Sequence, residues 1–212
     1  MCTVVVRTRP FLLLSNRDEF LERPSAPLEY HQGILAGRDL RSGGAWLGFG
    51  PNGGWAVLTN LPGPAPVDPP TRGTLVQNFL TSTLSPEAYA QTIDPQQYAG
   101  FNLLLGRGDQ LRYLSNQAAP RSLPPGLHVL GNTPIDEESP RTRRARQRVE
   151  QSRARTPEEW LDLFQDPLIW VDLPGYGTRC TTLATTSGRD LSVWERTRGQ
   201  SQARQRDWPG WA

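Results

Sequence analysis

The chain opens MCTVVVRTRPFLLLSNRDE, Met1 to Glu19, and this stretch decides the reading of the fold. Val4-Val5-Val6 and Phe11-Leu12-Leu13-Leu14 are short, nearly continuous apolar runs. Arg7-Thr8-Arg9-Pro10 separates them, which predicts a hairpin of two mostly buried strands. Asn16-Arg17-Asp18-Glu19 follows at once, placing an amide, a cation and two anions at the end of the second strand. In a hairpin that end lies beside the start of the partner strand, which is Cys2. Removal of Met1 ahead of a small side chain would leave Cys2 with a free α-amino group. A thiol titrates near pH ~8.5 and an α-amine near ~7.7–8.0, so around neutrality the amine is able to act as base for its own thiol. An arginine near the thiol favours thiolate, and an aspartate near the ammonium orients the amine. The plainer reading makes Cys2 a small buried hydrophobe and the polar run a turn satisfied by its own side chains.

The hairpin pattern repeats. Ala45–Phe49 and Trp55–Thr59 flank Gly50-Pro51-Asn52-Gly53-Gly54. Phe101–Leu105 and Leu111–Ser115 flank Gly106-Arg107-Gly108-Asp109, and Cys180–Thr186 and Leu191–Arg196 flank Ser187-Gly188-Arg189-Asp190. Helical signals lie between. Gly73–Leu84 carries Leu75, Val76, Phe79 and Leu80 on one face, Pro86 and Pro157 follow the N-cap candidates Ser85 and Thr156, and Ser139-Pro140 starts a helix running to about Ala154. Antiparallel hairpins with a few interposed helices predict an α+β fold, with packed sheets whose outer faces the helices cover. A length of 212 residues is read as one domain over 1–212, with a weakly periodic tail from about 199 that either docks by Trp208 and Trp211 or frays.

Composition narrows the function classes. All 23 cationic residues are arginine, and the net charge of +2 gives no polyanion-binding signal. The arginine run between Arg141 and Arg155 lacks interleaved aromatics, so it reads as a solvated helix face balanced by Glu137, Glu138 and Glu150; no nucleic-acid partner is expected. Two cysteines make no disulfide framework and point to a cytoplasmic protein. Arg7 and Arg9 break the first apolar stretch, and nothing downstream approaches the roughly 18 apolar residues of a membrane span. His31 and His128 stand at no recognised ligand spacing, so neither a metal nor a cofactor is expected.

Three further clusters end strands in polar residues. Asn60 follows Trp55–Thr59; a strand-end Asn is able to donate its side-chain N–H to a developing oxyanion, or else starts the turn before Pro62. Asn132 repeats the arrangement, after Leu127–Leu130 and before Pro134. Pro174-Gly175-Tyr176-Gly177-Thr178-Arg179 leads into the strand at Cys180, where a glycine-rich approach admits a ligand and Arg179 is placed to pair with an anion. Cys180 is also a candidate redox partner for Cys2.

Together these residues resemble the NRDE family, whose eukaryotic members are called transport and Golgi organisation protein 2. The resemblance runs through Met1-Cys2, Asn16-Arg17-Asp18-Glu19-Phe20, Arg23-Pro24, Gly43-Gly44-Ala45-Trp46-Leu47-Gly48, Leu58-Thr59-Asn60, Arg72-Gly73, Gly100-Phe101-Asn102-Leu103, Asn132 and Pro174–Arg179. Ala45 departs from the Thr usual in the family. The resemblance implies an N-terminal-nucleophile (Ntn) hydrolase-like αββα sandwich, two stacked antiparallel sheets between helices. It is also similar to the cysteine members of that superfamily, penicillin V acylases and bile salt hydrolases. That similarity implies a catalytic set of Cys2, Arg17, Asp18, Asn60, Asn132 and Arg179, although Arg17 and Asp18 stand closer together than in those enzymes. The implied activity is hydrolysis of a non-peptide C–N (amide) bond in a small-molecule substrate. In the alternative reading the same fold carries haem or another small hydrophobic ligand without turnover, with Cys2 or His31 as a soft ligand.

Overall fold

In the computed structural model, which describes Cys2 to Ala212, the chain divides into two compact units. One comprises the residues up to Glu22 with Gly126–Gly210, the other Arg23–Pro125 with Trp211–Ala212. Met1, and with it the expected loss of that residue, lies outside the described residues.

The opening apolar runs form β1 (Thr3–Thr8) and β2 (Phe11–Phe20), paired antiparallel with Thr3 opposite Asn16 and Thr8 opposite Phe11. Val4, Val5, Val6, Leu12, Leu13 and Leu14 are fully or almost fully buried, so the hairpin is apolar on both faces. β2 does not end at Leu14. It continues through Asn16–Glu19, because its other edge is hydrogen-bonded to a strand from late in the chain that reaches as far as Phe20.

The chain then builds the second unit as a meander: β3 (Ser25–His31), β4 (Ile34–Asp39), β5 (Ala45–Phe49), β6 (Gly54–Asn60), α1 (Gly73–Thr81), α2 (Pro86–Gln91), β7 (Phe101–Arg107), β8 (Gln110–Ser115) and β9 (Arg121–Ser122). Its seven strands lie in sequence order, all antiparallel. Leu75, Val76, Phe79 and Leu80 of α1 pack with Ala36, Ala45, Ala56, Leu58, Phe101, Leu103 and Leu105 on one face of this sheet. α1 stops at Thr81, short of the expected Leu84. Ser82 is extended and gives both its main-chain N–H and its hydroxyl to Phe79 O, closing the last turn. Docking of α1 requires glycine twice: a Cβ on Gly44 would sit 2.5 Å from Gly73 Cα, and one on Gly73 would sit 2.6 Å from Gly44 Cα. Trp211 also belongs to this unit. It is buried, donates its indole N–H to Gly50 O at 2.8 Å and packs edge-on against Phe49.

Returning to the first unit, the chain adds β10 (Leu127–Leu130), α3 (Pro140–Glu150), α4 (Pro157–Leu163), β11 (Asp172–Leu173), β12 (Tyr176–Ser187), β13 (Asp190–Thr197) and β14 (Arg204–Trp208). The sheet order is β10-β1-β2-β12-β13-β14, with β11 paired to β12. Ser139 and Thr156 cap α3 and α4 through capping boxes, each followed by Pro at the first helical position. Ala145, Val149, Leu161 and Phe164 cover Val5, Leu12, Leu14 and Leu183 on one sheet face. α3 ends at Glu150 rather than near Ala154, since Ser152 Oγ accepts the Ala154 N–H and turns the chain. The stretch before Cys180, read as a loop, is already strand from Tyr176. The expected weak tail contains β14, held on β13 with Glu195 opposite Arg204 and Leu191 opposite Trp208. Among the described residues, no helix is long and apolar enough to cross a membrane.

Candidate active site around Cys2

β2 is the central strand of the site, flanked by β1 and β12. Carrying the β1–β2 register one step past Thr3 and Asn16 sets Cys2 opposite Arg17, and Arg17 is paired in turn with Cys180. The β1–β10 register pairs Val4 with Leu130; two steps further it reaches Cys2 and Asn132. One row therefore crosses the strand ends in the order Asn132, Cys2, Arg17, Cys180. Cys2 is half-buried, Arg17 and Cys180 are buried and Asn132 is half-buried.

Burial pushes the Cys2 thiol above its ordinary value, and the Asp18 carboxylate adds to the rise. The Asp18 main-chain N–H bonded to the sulfur and the Arg17 guanidinium pull the other way, toward thiolate. Cys180 is raised further, by burial and then by the Glu195 carboxylate, which accepts its S–H. The two cysteines are not poised as a disulfide. β2 lies between them, and two interstrand spacings separate their Cα atoms by roughly 9–10 Å, beyond the span that a disulfide bridges.

Asp18 follows Arg17 on a strand and therefore turns its carboxylate to the opposite face, toward α3. There Oδ2 receives Arg141 Nη2 at 2.6 Å and Oδ1 accepts the Thr178 hydroxyl at 2.6 Å. Arg141 is itself held by the Ile169 carbonyl, which accepts its Nε–H at 2.9 Å, and Thr178 Oγ1 accepts the Val171 N–H. Burial is the largest influence on Asp18 and raises its pKa, against the lowering by Arg141 and Thr178. Arg141 and Thr178 are the residues that sequence reading missed. Arg141 lies in a run that resembles a solvated helix face, and no local spacing links either residue to position 18. Asn16 is satisfied structurally: its amide donates to Phe164 O and accepts from Thr181 Oγ1.

Arg179 is the extra residue of a bulge, because Thr178 pairs with Asp18 while Cys180 pairs with Arg17. Its Nη1 donates to the carbonyls of Phe20 and Leu21, each at 2.9 Å, and so ties down the end of β2. Asn60 belongs to the other unit, where it is the exposed last residue of β6, paired with Phe101. Beside it, the Asn102 amide donates to Thr59 Oγ1 and Tyr113 OH donates to Asn102 Oδ1, a buried network that fixes the end of β6. Among the described residues no group of three or more His, Cys, Asp or Glu is able to hold a metal ion.

A family model described as Transport and Golgi organisation 2 matches residues 1–167. The chain belongs to the transport and Golgi organisation 2 family. No curated protein matches this family member in sequence. Among solved structures it is similar to a Caenorhabditis elegans ortholog of N-acylethanolamine-hydrolyzing acid amidase. The TM-score is 0.59 at 10% identity, with 87% of this chain and 92% of that chain covered. It is also similar to a mutant of the conjugated bile acid hydrolase from Clostridium perfringens, with a TM-score of 0.54 at 9% identity over 98% of this chain and 92% of that one. These likenesses show the fold of this transport and Golgi organisation 2 family member: α+β, of the Ntn-hydrolase type.

Proposed function

We propose that the protein is an N-terminal-cysteine hydrolase of a small-molecule amide, with Cys2 as nucleophile once Met1 is removed. The observation that carries this reading is the setting of the Cys2 sulfur, which meets the Asp18 N–H and the charge of Arg17 while burial holds its proton on at rest. Such a thiol needs a base that takes the proton as attack proceeds, and the α-amine of the same residue is that base. Sγ bonds to the amide carbonyl carbon as its proton passes to the amine. The tetrahedral adduct collapses, the C–N bond breaks, and the ammonium returns the proton to the departing nitrogen. Water, deprotonated by the amine, then attacks the thioester and releases the carboxylic acid and the free thiol.

Roles follow position. Arg17 favours thiolate, Asn132 beside Cys2 orients the substrate, and Asp18 and Arg179 hold the strand end to which the sulfur is bonded. Asn60 keeps, on the resemblance alone, the part of oxyanion donor. The amidase and bile acid hydrolase folds of the two similar structures support the choice of amide chemistry. Intact mass before and after reaction with a limiting thiol electrophile tests the reading, with the label mapped by peptide. Loss of Met1 with selective labelling of Cys2 is expected. Retained Met1, or a Cys2 no faster than Cys180, overturns it.

A further inference from the structure

The arginine run has a second feature besides Arg141. α3 places Arg144 and Arg148 on successive turns, the chain reverses at Ser152, and α4 returns behind Arg153. Between them lies a cavity of about 470 Å³ whose walls include Arg144, Arg148, Arg153, Ser152, Glu159 and Leu163, a volume within the range of small-molecule sites. Arg144 is used up: its Nε and Nη2 both bond Asp166 Oδ2, at 2.8 and 2.7 Å. Arg148 is held more loosely, its Nε 3.6 Å from the same oxygen, an ion pair beyond hydrogen-bond range. Its side chain remains 37% exposed, so the guanidinium still offers N–H groups to an oxygen acceptor in the cavity it lines. Arg153 is exposed on the rim. Glu159 also lines the wall, but one of its oxygens already accepts the main-chain N–H groups of Arg155 and Thr156, which hold its carboxyl below the ordinary range. Summing Arg144, Arg148 and Arg153 against Asp166 and Glu159 leaves a net positive wall, with Leu163 as an apolar surface beside it.

We propose that this cavity binds a small molecule bearing one phosphate monoester and an apolar body. The phosphate oxygens would take charge-assisted hydrogen bonds from the exposed parts of the Arg148 and Arg153 guanidinium groups, and the apolar part would rest on Leu163. The site lies apart from the Cys2 row and does not depend on its chemistry.

Phenyl phosphate is the probe, titrated calorimetrically into the full chain at constant ionic strength. Saturable binding is expected, weakened about tenfold or more, some 1.4 kcal/mol, by Arg148→Gln and by Arg153→Gln. Arg143→Gln, on an arginine that does not line the cavity, leaves it unchanged. Arg153 is exposed, so its variant reports on binding even if Arg148→Gln loses stability. Absence of binding to the wild type overturns the proposal, as does equal weakening by Arg143→Gln, which would signal general charge attraction. Benzoate binding as tightly as phenyl phosphate overturns the assignment to phosphate.

Discussion

Asp18 and Arg141 show how much a single residue contact decides. The Asp18 side chain is fully buried, and its charge is tolerable because Arg141 and Thr178 meet it. Arg141→Ala removes the cation and leaves the carboxylate stranded, at a cost of about 3–5 kcal/mol near neutral pH. An acid whose folded pKa is raised binds its proton more tightly folded than unfolded. Its favourable contribution is present below the unfolded pKa and lost as pH rises through the folded one. The Arg141→Ala penalty therefore shrinks on acidification, and Asp18→Asn in the same background recovers part of it. Urea unfolding at neutral and acidic pH measures both. The cysteines follow the same sign. Both thiols are raised, Cys180 well above its ordinary value, so labelling accelerates as pH increases and Cys2 leads Cys180 throughout. A pH series of alkylation rates resolved by peptide checks this, and equal midpoints for the two thiols would contradict the electrostatics described.

Elements were legible where turn chemistry and apolar runs coincide. The hairpins β5–β6, β7–β8 and β12–β13 follow from glycine-bearing turns between such runs, and β1–β2 from the polar, proline-ending Arg7–Pro10 between two apolar runs. The proline-first helices follow from their caps. β3 and β4 were not legible, because Ser25–His31 mixes Pro27, Glu29 and His31 into a strand whose regularity comes from its partner. β14 is polar along most of its length and exists by pairing with β13. In the candidate site, the sequence order showed Cys2, Arg17 and Asn132. Arg141 was hidden because the contact joins positions 123 residues apart (141 − 18) on different elements. Two predictions belong at this scale. Gly73→Ala drives a methyl into the Gly44 backbone and should destabilise the second unit by about 1–3 kcal/mol, read as a fall in the thermal midpoint. Thr156→Ala removes the cap of α4 and should cost about 0.5–2 kcal/mol in the same assay, while Ser201→Ala, an exposed loop change, serves as the neutral reference.

For the whole molecule, the order in which the chain visits its two units matters more than either sheet alone. It leaves the first unit at Glu22, builds the meander, returns at Gly126 and crosses back for its last two residues. Each unit is thus assembled from segments far apart in sequence, a topology that slows folding through the entropy of closing long loops. Truncation by two residues should accordingly weaken the second unit although it removes no strand residue. Loss of the buried Trp211 indole costs about 3–5 kcal/mol, measurable by urea unfolding of a chain ending at Gly210.

The Trp211 contact has a consequence for synthesis on the ribosome. The turn between β5 and β6 offers Gly50 O and the Gly53 N–H to a partner made 161 residues after Gly50. At ordinary elongation rates the turn waits roughly ten to thirty seconds for it. During that interval the apolar side of Phe49 stays uncovered by the indole, a nascent-chain surface open to chaperones that closes only once Trp211 has been made.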